Sequence, residues 1–146
     1  MDRGLVVLLT VVAGGLIALQ APINSGLGKA VGTFAAAAFS FTTGAVALIA
    51  IAALSNGFGQ LGELRSLAWY YLVGGVLGAV YVTTALVAVR TLGGGGVTAA
   101  TIAGQLATAV LIDRFGLLGL EQRLLSTGRM LGIVLLAAGT FLVVRE

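Results

Sequence analysis

No acidic or basic side chain interrupts the sequence from Gly4 to Gly28, from Ala30 to Gly62, from Ser66 to Val89 or from Thr91 to Ile112. A helix needs roughly 20 apolar residues to cross ~30 Å of hydrocarbon, so each of these stretches is long enough to span a bilayer. Reading spans between the charges gives Leu5–Pro22, Val31–Leu54, Leu67–Val89, Leu92–Ile112 and Leu124–Val144. The expected fold is an all-α integral membrane protein, a five-transmembrane-helix bundle that forms a single membrane domain over residues 1–146.

Composition excludes several other classes. With 59% hydrophobic and 9% charged residues and a mean hydropathy of +1.12, the chain lacks the polar surface that a water-soluble domain requires. The apolar run after Met1-Asp2-Arg3 continues too far for a secretory leader, and equally strong runs follow it, so it is read as the first span. Cysteine and histidine are absent, which removes disulfides, thiol nucleophiles and imidazole chemistry, and no metal site or cofactor is expected. The net charge of +3 comes from basic residues scattered singly between apolar runs, so they read as interfacial anchors and no nucleic-acid partner is expected.

Polar residues inside the spans are few and patterned. Thr98, Thr101, Gln105 and Thr108 recur at helical spacing and share one face of the fourth span. A glutamine amide in hydrocarbon needs another helix, water or a ligand, so Gln105 is either interhelical glue or part of a cavity lining. Gln20 and Asn24 stand one turn apart around Pro22, where the first helix is expected to bend or end. Pro22-Ile-Asn-Ser-Gly26 reads either as an ordinary exit turn or as the broken helix end that lines a transporter pathway. Tyr81 shares a face with Gly74 and is a ligand contact or a core aromatic. Trp69, leading Tyr70 and Tyr71, is expected at the headgroup boundary as an interfacial anchor.

Much of the glycine lies within the spans, at Gly14, Gly74, Gly78, Gly128 and Gly132. Small residues one turn apart let helices approach closely in lipid, and a hinge role is the alternative. No carboxylate falls near the middle of a span, which argues against an antiporter driven by a central glutamate and against intramembrane acid-base or metal catalysis. No catalytic residue is assigned, and an enzyme using interfacial Asp113 or Glu121 lacks a second group at a persuasive spacing.

Five crossings put the termini on opposite sides. Arg3, Arg65, Arg114, Arg123 and Arg129 then face one side, and Lys29, Arg90 and Arg145 the other. Five against three is a weak bias toward a cytoplasmic N-terminus, compatible with insertion in both orientations.

Two stretches carry a family resemblance: Trp69-Tyr-Tyr-Leu-Val-Gly-Gly-Val-Leu-Gly78 with Tyr81, and Gly96-Val-Thr-Ala-Ala-Thr-Ile-Ala-Gly-Gln105 running on to Asp113-Arg-Phe-Gly116. Gln20 and Arg129-Met-Leu-Gly132 extend it over nearly the whole chain. The sequence resembles the YdcZ-like family of bacterial inner-membrane exporters, a five-helix branch of the drug/metabolite transporter superfamily. The resemblance implies a multi-pass inner-membrane protein with a transport role, half of a ten-helix inverted-repeat fold.

A lone five-helix half needs an inverted partner, either a second copy in an antiparallel homodimer or a paired paralogue. The expected function is transport of a small, neutral or weakly cationic solute by alternating access. Gln20, Asn24, Tyr81, Thr98, Thr101, Gln105 and Thr108 are expected to line the cavity. The alternative is a non-transporting membrane scaffold, or a subunit of a heteromeric complex, whose polar residues satisfy one another.

Overall fold

The computed structural model describes residues 2–145. Four α-helices account for most of them: α1 (Arg3–Val31), α2 (Thr33–Leu54), α3 (Gly74–Phe115) and α4 (Thr127–Arg145). All four are long and apolar enough to cross a membrane. At 42 residues, α3 contains about twice the roughly 20 residues that one crossing of the hydrocarbon needs. It is broken at Gly93, where φ 67° and ψ 172° leave helical space. The break yields two segments of about 20 residues each, so five helical segments have membrane-crossing length. The positive φ explains why glycine stands at the break.

Where helices begin and end differs from the expectation at four places. α1 does not stop at Pro22 but runs on to Val31, because lipid gives the backbone no alternative partner and a transmembrane helix tolerates proline. The Asn24-Ser25-Gly26 stretch, expected as a turn, is therefore helical. Of the glycines Gly93–Gly96, only Gly93 leaves the helix. Leu67–Val73 contains a short 3₁₀ turn at Trp69–Leu72 ahead of α3, and α4 starts at Thr127 where Leu124 was expected.

The chain divides into two units, Met1–Arg90 and Thr91–Glu146. In the first, the Asp2 carboxylate caps α1 by accepting from Gly4 N at 3.1 Å. Gly32, at φ 89°, joins α1 to α2: its N–H closes α1 on the Gly28 carbonyl and its carbonyl opens α2 by accepting from Ala36 N, both at 3.0 Å. The buried residues here are mostly small, Ala21, Ser25, Ala36, Ala37 and Ala85, with Asn24 and Val82 beside them, and among the described residues Leu86 is the one large side chain that is fully buried. A Cβ on Gly28 would lie 3.0 Å from Leu86 Cδ2, and one on Gly78 would lie 3.2 Å from Phe41 Cζ. Small residues thus bring α1 close to the early part of α3, and that part close to α2, by the close-approach rule of helices in lipid. Outward, α1 presents Val11, Leu16, Leu19 and Ile23, all exposed, a surface suited to acyl chains.

In the second unit the late part of α3 lies antiparallel to α4. Thr140 Oγ1 donates to the Ala99 carbonyl at 3.2 Å near one end, and Arg129 pairs with Asp113 at 2.8 Å near the other. The loop between them finishes α3. Gly116 turns left-handed at φ 61°, Arg123 N donates to the Asp113 carbonyl at 2.8 Å, and Gln122 Nε2 donates to the Arg114 carbonyl at 2.9 Å, satisfying carbonyls a helix end leaves free. Ser126 then caps α4, its Oγ accepting from Arg129 N at 3.3 Å.

Candidate functional site

The residues singled out from the sequence fall into two environments. Asn24 is only 5% exposed, and its Nδ2 has no hydrogen-bond partner among the described residues. An unpartnered buried amide costs about 1–3 kcal/mol, so this position invites a group not present in the chain itself. Gln20, one turn earlier on α1, is exposed, and Tyr81 on α3 is half-buried. In the second unit Thr98 and Thr101 are half-buried, whereas Gln105 and Thr108 are exposed on the helix surface. The Thr98 hydroxyl is satisfied locally by the Gly94 carbonyl at 2.8 Å.

The glycines separate in the same way. Gly78 packs on Phe41, but at Gly14, Gly74, Gly128 and Gly132 a Cβ would meet no atom of a neighbouring described element within 4 Å. These four leave open, close-approach surfaces on their helices. Trp69 is exposed and meets Tyr70 edge to face, with centroids 6.3 Å apart and planes at 78°. Tyr70 and Tyr71 follow at 4.6 Å. This aromatic cluster on the 3₁₀ turn ahead of α3 has the amphipathic character of an interfacial anchor.

Two recesses are lined by other residues. One, about 410 Å³, lies between Pro22, Ser25, Gly26 and Lys29 of α1 and Val89 and Arg90 of α3. Arg90 Nε donates to Ser25 Oγ across it at 3.3 Å. The other, about 490 Å³, runs between α3 and α4 along Ala100, Ala103, Ala137, Thr140, Phe141 and Val144 to Arg145. Among the described residues no three His, Cys, Asp or Glu side chains gather where a metal ion could be held.

Ser25, Gly28 and Thr140 were not singled out from the sequence. Ser25 and Gly28 carried a signal, since with Ala21 and Asn24 they form a stripe of small or polar residues at helical spacing on α1. A helix expected to bend or end at Pro22 leaves that stripe out of view. Lys29 and Arg90, grouped on one side of the membrane from the charge pattern, do line one recess. Arg129, grouped on the other side, forms an ion pair with Asp113.

Comparison with known proteins places this architecture. A family model described as "Putative inner membrane exporter, YdcZ" matches residues 5–142. The chain is 31% identical over 104 residues, 70% of its length and 69% of the relative's, to the "Inner membrane protein YdcZ" of Escherichia coli (strain K12). No solved structure matches it. The chain is thus an all-α, multi-pass protein of the inner membrane, and it belongs to the YdcZ family, whose members are described as inner membrane exporters.

Proposed function

We propose that this protein exports a small, neutral or weakly cationic solute by alternating access, as an antiparallel dimer with its uncharged polar side chains around a shared path. The observation that carries this reading is the exposure of Gln20 and Gln105 on helices apolar enough to cross a membrane. Neither amide has a hydrogen-bonding partner among the described residues. In hydrocarbon such groups require a polar neighbour, and an inverted second copy provides one together with room for solute. Tyr81, Thr98, Thr101 and Thr108 would extend the lining, and the open faces of Gly14, Gly74, Gly128 and Gly132 would let helices approach and slide. A paired paralogue could fill the partner's role. The five-to-three distribution of basic residues supports insertion in both orientations.

The same exposed amides would serve equally as the docking face of a non-transporting scaffold or of a subunit in a heteromeric complex, and one substitution separates the two. Proteoliposomes preloaded with a weakly basic acridine fluorophore report flux, while cross-linking reports the dimer. Transport requires that Gln105→Ala lose most of the flux and keep the dimer. Loss of the dimer, with no flux even before substitution, identifies the scaffold.

A further inference from the structure

The recess between Lys29 and Arg90 is chemically one-sided. Pro22, Ser25, Gly26 and Lys29, at i, i+3, i+4 and i+7, form one wall, and Val89 with Arg90 the other. Two full positive charges face the same space. The ion pair found among the described residues joins Asp113 to Arg129 and involves neither cation. Arg90 uses Nε on Ser25 Oγ, and no other hydrogen bond engages its guanidinium among the described residues. Ser25, 5% exposed, accepts that bond and keeps its own O–H to give. Next to it in sequence, buried Asn24 holds an N–H donor without a partner among the described residues.

The negative end of α1 lies close by and opposes an anion. It amounts to roughly half an elementary charge against two full positive ones, so the recess stays positive. Arg90 contributes a planar fork and Lys29 a mobile point charge, a combination suited to tetrahedral oxyanions. Both cations flank long uncharged stretches of sequence, which sets the recess at the edge of the apolar slab. Lipid headgroups and solutes from the water both reach that level.

We propose that Lys29, Arg90 and Ser25 form a binding site for a phosphate group at the end of α1. The inference goes beyond the transport reading and does not depend on it, since what is measured is binding. The test uses the full chain purified in detergent with phosphatidylcholine, with Lys29→Gln/Arg90→Gln as the disabled variant and Arg145→Gln as a cation control outside the recess.

Inorganic phosphate titrated into the sample, read by thermal shift, reports a soluble occupant. Phosphatidylglycerol adducts, read by native mass spectrometry, report a lipid occupant. The site is supported if the double variant loses at least tenfold in affinity for one probe while Arg145→Gln leaves it unchanged, and which probe is lost names the source. Arg90→Lys, which keeps the charge but not the fork, should retain binding at reduced affinity and serves should the double variant not fold. The proposal is overturned if the wild type binds neither probe, or if a variant eluting as the same species binds both within twofold of wild type.

Discussion

The Arg129 guanidinium donates to Asp113 Oδ2 at 2.8 Å, tying the end of α3 to the first turn of α4 across the loop. The Asp113 carbonyl also accepts from Arg123 N at 2.8 Å, so one residue anchors both the loop and the helix that follows it. The two family-resembling stretches around Asp113 and Arg129, separate in the sequence, are one contact in the fold.

Breaking that pair should loosen the second unit modestly. Both side chains are partly exposed, 39% for Arg129 and 23% for Asp113, so screening limits the interaction to about 1 kcal/mol. Asp113→Asn and Arg129→Gln should each lower thermal stability in detergent, and the double variant should lose less than the sum of the two. Fully additive losses would show that the pair is not coupled.

Gly28 should accept a methyl group but not a large side chain. A Cβ there would sit 3.0 Å from Leu86 Cδ2 and from an Arg90 terminal nitrogen, both at the ends of flexible side chains. Gly28→Ala should stay within about 1 kcal/mol of wild type, whereas Gly28→Leu should cost about 1–3 kcal/mol by overpacking. Leu86→Ala should recover part of that loss. Unfolding in mixed micelles compares the three.

The break in α3 depends on one residue. Gly93 holds φ 67° and ψ 172°, a region nearly closed to residues with a side chain, so Gly93→Ala should cost about 1–3 kcal/mol. Gly94→Ala, next to it, meets nothing within 4 Å and should be neutral or mildly stabilising. Equal melting temperatures for the two variants would count against the break.

Thr140 should contribute a modest interhelical bond. Its hydroxyl reaches the Ala99 carbonyl at 3.2 Å, and such bonds in lipid average about 0.6 kcal/mol. Thr140→Val should lose about that much and Thr140→Ser should keep it, as read by thermal unfolding.

Orientation is open to direct measurement because the chain has no cysteine. Gln60 and Leu124 are exposed, outside the four α-helices, and close in sequence to Arg65 and Arg123, which the charge pattern groups on the N-terminal side. With single cysteines at these positions and an impermeant thiol reagent on intact cells, an antiparallel homodimer requires roughly half of the molecules to label at each site. All-or-none labelling, the same at both sites, would point instead to a paired paralogue or a scaffold.

The membrane class and the five helical segments were legible because uncharged length is a coarse signal that survives errors of several residues. Local ends were less legible. Pro22 carries a strong stop signal in water, yet α1 continues past it to Val31, as a membrane-spanning helix tolerates. A helix expected to bend or end at Pro22 leaves the α1 stripe of Ala21, Asn24, Ser25 and Gly28 out of view, and with it the Lys29–Arg90 recess. Gly28 and Arg90 meet across 62 residues of sequence, a pairing no local period encodes. Conversely, Gln105 stood out by spacing alone, yet its exposure in the single chain concerns what covers it, which no helical period reports.

Gly32 makes the first hairpin sensitive to counting. Because this residue ends one helical ladder and begins the next, no slack absorbs a change in length between Gly28 and Ala36. One inserted or deleted residue would rotate everything after it by about 100° around the helix axis, carrying Ala36 and Ala37 away from the positions they now bury. Related chains of differing length are therefore expected to vary in the exposed turns between Ser55 and Leu67 and to keep a fixed number of residues through this joint.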